Sequence, residues 1–212
     1  MNWSETKSEK IERVTSATLR AIGKNSEIEI SYSSNKEAKI ATNGTSIRLP
    51  APPNSEITKI DLAQLRGSAD AVALRLRYHD SKIHHRYRPS GEDAARLFER
   101  AEQVRVESIG CRRLPGIKKN IQALLEKRCE NNKPDLSSDS DLSKNDKLLS
   151  EAIGLMIHQK LTGNDLPDAA DTILKHFQYA LNEQIGTQLD KLSETIHDQE
   201  KFAGALSQII RD

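Results

Sequence analysis

Cysteine is almost absent from this chain. Cys111 and Cys129 are its two thiols in 212 residues, too few for a disulfide framework, so a reducing, cytoplasmic setting is the expectation. Aromatics are sparse as well: three Phe, one Trp and four Tyr. No apolar run approaches the roughly 18 residues that a membrane span requires, and Met1 to Glu5 lacks the basic and apolar segments of a signal peptide. Short catalytic motifs are missing too. Gly23-Lys24 has neither the upstream glycine nor the hydroxyl of a phosphate loop, which argues against ATP hydrolysis by this chain alone. There is no Gly-x-Gly-x-x-Gly, serine elbow, Cys-x-x-Cys or His-Glu-x-x-His, and Asp135 to Ser143 has the composition but not the spacing of a divalent-cation loop.

Charge is plentiful but nearly balanced, with 32 basic and 31 acidic side chains. The balance hides a gradient. Residues 1–60 carry 9 basic and 7 acidic groups, 61–130 carry 15 and 10, and 131–212 carry 8 and 14. A basic middle beside an acidic end can bind anions, or pair the two ends or two protomers; solvated helix faces would give the same count. A nucleic-acid-binding regulator is disfavoured by the scarce aromatics and the acidic end, since phosphate binding draws on clustered Lys and Arg.

Apolar periodicity predicts a mainly α chain of six to seven amphipathic helices with one small antiparallel β-hairpin over about 27–49. The first helix spans 8–23, with Ile11, Val14, Thr18, Ala21 and Ile22 on one face and Gly23 as its stop. Ile28, Ile30 and Tyr32 alternate as in a half-buried strand, and Asn43-Gly44 reads as a turn between 39–41 and 46–49. Pro50 to Pro53 forces an extended exit. A long helix begins at Thr58 or just after, with Leu62, Leu65, Ala69, Val72, Ala73 and Leu76 opposite Arg66, Asp70, Arg75 and Arg77, and frays between His79 and Arg88. Ser90 and Asp93 resemble a capping box for a helix burying Ala94, Leu97, Phe98, Ala101 and Val104 and stopping at Gly110. Ile117, Ile121, Leu124 and Leu125 mark a short helix. Further helices are expected at 146–161, 167–185 and 187–210. Together these give a module over 1–130 containing the hairpin, a polar linker or loop over 131–145, and a three-helix segment over 146–212 packing on the first.

Two clusters carry candidate chemistry. His79, Asp80, His84 and His85 combine imidazoles with a carboxylate, so His79, Asp80 and His84 are weak candidates for a borderline divalent ion. Geometry counts against them, because His79 and His84 lie about 140° apart on a continuous helix. A protein that binds or delivers a divalent metal, Co2+ or Zn2+, using His79 to His85 is the alternative function this cluster suggests; a structural or interface role is the plainer reading. Arg100, Glu102, Arg105, Glu107, Arg112 and Arg113 form the second cluster, read either as an interface for an acidic partner or as a solvated helix with routine ion pairs.

Several spaced blocks, in order, resemble one family. Arg48-Leu49-Pro50-x-Pro52-Pro53, Arg66-Gly67-x-x-Asp70-x-x-Ala73-Leu74-Arg75, His79-Asp80-x-Lys82-x-His84, Glu102-x-x-Arg105-x-Glu107-x-Ile109-Gly110-x-Arg112-Arg113-x-x-Gly116 and Leu161-Thr162-Gly163 are similar to the amino-terminal region of the CobT subunit of aerobic, ATP-dependent cobaltochelatase. The resemblance is densest over 48–125. It implies a non-catalytic subunit of a ligase complex in aerobic cobalamin biosynthesis, working with an AAA+ ATPase subunit and a corrin-binding large subunit, with a homo-oligomer within a ring also in keeping. The complex uses ATP, Mg2+ and Co2+, and inserts the cobalt into hydrogenobyrinic acid a,c-diamide; no cofactor, nucleic acid or membrane is expected for this chain itself. The family's von Willebrand A-like domain is absent from these 212 residues. Arg66, Asp70, Arg75, His79, Asp80, His84, Glu102, Arg105, Glu107, Arg112 and Arg113 are the expected partner-binding surface or polar framework, and no catalytic residue is expected.

Overall fold

The computed structural model describes residues 5–41, 44–53, 56–132, 142–177 and 183–211. Among them the chain runs α1 (Lys7–Gly23), β1 (Glu29–Ser33), β2 (Lys39–Ile40), β3 (Ser46–Pro50), α2 (Lys59–Tyr78), α3 (Ser81–Tyr87), α4 (Glu92–Arg113), α5 (Pro115–Asn131), α6 (Leu142–Thr162), α7 (Asp168–Phe177), α8 (Glu183–Glu194) and α9 (Gln199–Arg211). It is mainly helical with a small mixed sheet. The described residues fall into two compact units, Met1–Tyr78 with Leu114–Leu124 and His79–Arg113 with Leu125–Asp212. Residues 133–141 of the expected linker lie outside the described residues.

In the first unit, α1 opens on a capping box. Thr6 Oγ1 accepts from the Glu9 amide, and the Glu9 carboxylate accepts from the Thr6 amide at 2.7 Å. The stop is a correction: Lys24, with φ 53°, takes the left-handed position, while Gly23 is the last helical residue and is buried. The buried face is Thr15, Ser16, Leu19 and Gly23, whereas Val14, Thr18 and Ala21 face outward. Hydroxyls and a glycine serve here as core residues. Ser16 hydrogen-bonds the Tyr32 hydroxyl, which also reaches the Glu12 carbonyl, and a Cβ on Gly23 would lie 3.3 Å from Leu76.

The sheet order is β1-β3-β2, and it corrects the expected antiparallel hairpin. β2 and β3 are antiparallel, with Ile40 opposite Ile47, but β1 runs parallel to β3, pairing Ile30 with Ile47 and Tyr32 with Leu49. Alternation fixes which face is buried and is silent on strand direction; the dozen residues between β1 and β3 suffice for a parallel return. Asn43 lies outside the described residues; Gly44, at φ 69°, donates to the Ala41 carbonyl. Leu19, Ile28, Ile47, Leu49, Ala69, Val72 and Ala73 form the core that joins sheet and helices.

A Thr58–Asp61 capping box starts α2. Leu65 and then Gly67 to Leu74 are all buried, so this helix is covered nearly all round rather than along one stripe. Gly67 lets α5 approach: a Cβ there would lie 2.3 Å from the Asn120 carbonyl oxygen.

In the second unit, the expected fraying between His79 and Arg88 is instead a break followed by a separate helix. Asp80 caps α3, accepting from the Lys82 amide at 2.7 Å. The Gly91 carbonyl accepts the first α4 bond, so Gly91 and not Ser90 holds the N-cap position. Gly110 does not stop α4; it is buried, and the helix continues to Arg113. α6 starts at Leu142, earlier than expected, and residues 178–182 of the expected 167–185 helix lie outside the described residues. The expected 187–210 helix is two, α8 and α9, parted at 195–198, where the Asp198 carboxylate accepts from the Lys201 amide and its carbonyl from the Phe202 amide. Leu125, Cys129, Ala152, Leu155, Ala170 and Ile173 form one core cluster of this unit.

Candidate functional site

Helix α4 carries charge into the interior on two sides. Glu102, Arg105, Glu107 and Ser108 are each no more than 2 % exposed. On one side Arg105 grips Glu102 with two bonds, Nε to Oε2 at 2.7 Å and Nη2 to Oε1 at 2.9 Å, and donates Nη1 to the Ile196 carbonyl at 3.0 Å. That carbonyl lies in the break between α8 and α9. His79 Nδ1 completes the arrangement by donating to Glu102 at 2.8 Å. Burial alone would raise the Glu102 carboxyl, but bonds from Arg105 and His79 outweigh it and hold the group below its ordinary range.

Gln199 ties the same face to the break before α3. Its amide accepts from the Asp80 backbone N–H at 2.7 Å and donates to the Asp80 carbonyl at 3.0 Å. His84, stacked edge-on 4.9 Å from His79, donates Nε2 to Glu99 at 2.6 Å. Tyr87 and Arg86 reach Glu200, and Ser207 donates to the Tyr87 carbonyl, so α3 is fastened along α9. The histidine cluster is therefore a joint between helices. The Asp80 carboxylate serves the α3 amides rather than an imidazole, and among the described residues no three His, Cys, Asp or Glu side chains are placed to hold a metal. The geometry gives the metal-delivery reading no donor set.

About 200° around α4 from Glu102 lies Arg100. It pairs with Glu151 of α6 through Nε and Nη2, at 3.1 and 3.3 Å. Gly154 makes room for it; a Cβ there would meet Arg100 Cγ at 2.8 Å. Glu107 accepts from Gln103 at 2.9 Å, and Arg112 donates to the Leu161 carbonyl. Arg128 is pulled below its ordinary value by the positive charge of Arg100. Between them His158 is 1 % exposed with both ring nitrogens unpartnered, and burial pushes it down to about 4.

The expected site residues thus do not form one surface. His79, Asp80, Glu102 and Arg105 meet, with His84 beside them; Glu107 and Arg112 belong to the α6 side, and Arg113 is exposed. Arg66, Asp70 and Arg75 sit in the other unit. There Asp70 is buried, not on the polar face expected for it, and accepts from Asn120 at 2.8 Å. Burial raises its carboxyl to about 6, against the bond from Asn120 and the charge of Arg66. Sequence reasoning missed Glu99, Arg128, Glu151, His158 and Gln199. Gln199 has one local signal, as a polar residue between Ile196 and Ala203 in an otherwise apolar spacing of Leu189, Leu192, Ile196, Ala203 and Leu206.

Asp70 and His158 give opposite pH signatures. Asp70 binds its proton more tightly folded than unfolded, so its contribution to stability falls as pH rises from 3.8 to about 6. His158 binds its proton less tightly folded, so its contribution falls as pH drops from 6.5 to about 4. Each amounts to on the order of 3 kcal/mol at about 1.4 kcal/mol per pH unit. Urea melts are expected to show Asp70→Asn stabilising at pH 7 but not at pH 4, and His158→Leu reducing acid sensitivity between pH 6.5 and 4. A wild-type slope unchanged in both variants would contradict the assignment.

Buried ion pairs on two sides of α4 place this chain among mainly helical proteins with a charged interior. Residues 5–212 match the family model described as cobalamin biosynthesis protein CobT, and the chain belongs to that family. The family places it in cobalamin biosynthesis. No solved structure matches it. Among the described residues no helix is long and apolar enough to cross a membrane.

Proposed function

We propose that the chain acts as a non-catalytic subunit of ATP-dependent cobaltochelatase, assembling with the AAA+ ATPase subunit and with the corrin-binding large subunit. Co2+ would enter hydrogenobyrinic acid a,c-diamide on the complex, and the ligase activity would belong to the assembly. The family match over nearly the whole chain carries this reading. Metal insertion into a closed macrocycle is costly, because the ring must distort and the ion must shed water. A subunit that relays ATP-driven motion has to transmit force without yielding. The Arg105–Glu102–His79 joint supports that role, since it ties α4 to the 79–80 break before α3 and to the 195–198 break through directional, charge-assisted bonds.

Co-purification tests the proposal. The chain should be retained by the ATPase or the large subunit, and cobalt insertion by the two partners should rise when it is added. Alone it should neither hydrolyse ATP nor metallate the corrin. Retention by neither partner, or unaided turnover, would overturn the assignment.

A further inference from the structure

The first unit holds a cavity of about 230 Å³ between α1, α2 and the first half of α5, lined by Val14, Thr15, Thr18, Arg66, Ala69, Asp70 and Asn120. Its two ends differ. Val14 and Ala69 are aliphatic, and Thr18 turns its hydroxyl onto the Val14 carbonyl at 2.9 Å, which leaves that end largely apolar. Arg66, Asp70 and Asn120 make the other end polar. Asp70 is 3 % exposed, and the donor the structure gives its carboxylate is Asn120 Nδ2 at 2.8 Å. Arg66, exposed on the same helix, makes no ion pair with it among the described residues, although its charge is felt at Asp70.

A buried carboxylate with so little compensation is costly unless something else donates to it. Arg66 and Asp70 present opposite charges to one cavity, and among the described residues these are the only charged groups lining it: α1 contributes Val14, Thr15 and Thr18, and α5 contributes Asn120. We infer that this cavity binds a small aliphatic α-amino acid as its zwitterion. The ammonium donates to Asp70, the carboxylate accepts from Arg66, and the short side chain lies against Val14 and Ala69. The volume suits such a ligand, being that of roughly eight waters at about 30 Å³ each. Proximity of Asn120 depends on Gly67, so the site is built by the close approach of α5 to α2. This inference is independent of the cobaltochelatase reading.

Calorimetric titration of the full chain at pH 7.5 tests it, with L-valine, N-acetyl-L-valine and L-valinamide as probes. Saturable binding of L-valine is expected, at least tenfold weaker when either charge of the probe is blocked. Asp70→Asn and Arg66→Gln should each weaken L-valine binding at least tenfold. Val14→Trp, at a position 42 % exposed and therefore tolerant of bulk, should abolish binding by filling the mouth without lowering Tm. Lowering the pH to 5 should weaken binding as Asp70 takes up its proton. No saturable heat with L-valine, equal binding of the blocked probes, or affinity surviving either Asp70→Asn or Val14→Trp would each overturn the inference, and none of these results bears on co-purification with chelatase subunits.

Discussion

Arg105→Ala is expected to destabilise the second unit by about 3–5 kcal/mol, a fall in Tm on the order of 10 °C for a chain of this size. Arg105 is 1 % exposed, and its removal leaves the Glu102 carboxylate and the Ile196 carbonyl without their guanidinium donors. Its guanidinium also lies 5.8 Å from the Phe202 ring centroid, so the truncation opens space beside a fully buried aromatic. Arg105→Lys should recover little, because an ammonium cannot make two bonds to Glu102 and a third to Ile196 at once. The pair Arg105→Met with Glu102→Leu should be markedly more stable than Arg105→Ala alone, since no uncompensated charge then remains buried. Urea denaturation of the three variants checks the ordering. If Arg105→Ala cost less than about 1 kcal/mol, as exposed ion pairs do, the buried network would not be what holds α4 to the 195–198 break.

This burial also marks the limit of what the sequence made legible. Helix positions were readable wherever apolar residues recur, as at Ile117, Ile121 and Leu125 or Leu189, Leu192 and Leu206, all of which are buried. The reading failed where the interior is built from other residues. α1 buries Thr15 and Ser16 and exposes Val14; α4 buries Glu102, Arg105 and Glu107, whose charges made a solvated face equally consistent. Periodicity reports the cost of wetting apolar surface, not the pairing that makes a buried charge tolerable. His79, Asp80, Glu102 and Arg105 were singled out and do meet, but their partners Gln199 and the Ile196 carbonyl lie some ninety or more residues further along the chain. No local spacing encodes such a contact. Helix breaks at 79–80 and 195–198 escaped for a related reason: each is stabilised by a capping aspartate, Asp80 or Asp198, and the sequence suggests for Asp80 a metal-ligand or framework role rather than a cap.

Gly67→Ala should be the more informative substitution in the first unit, because propensity and packing oppose each other there. In an exposed helix interior, alanine in place of glycine stabilises by about 1 kcal/mol. At position 67 the new Cβ would sit 2.3 Å from the Asn120 carbonyl oxygen and 2.9 Å from Leu124 Cβ, and these belong to the backbone and stem of α5 rather than to a side-chain tip that could swing away. The helix must retreat, and the Asn120–Asp70 bond at 2.8 Å lengthens with it. Overpacking of this kind costs about 1–3 kcal/mol, and the buried Asp70 carboxylate loses its donor in addition. Gly67→Ala is therefore expected to destabilise by about 1–5 kcal/mol after the propensity gain is subtracted, with Gly67→Val worse. Gly116 supplies the control within α5, since a Cβ there meets nothing within 4 Å. Gly116→Ala should be neutral to stabilising by up to about 1 kcal/mol. Equal melting curves for the Gly67→Ala and Gly116→Ala proteins would mean that α5 does not lie against α2 at this glycine, and the cavity wall formed by Asn120 would go with it.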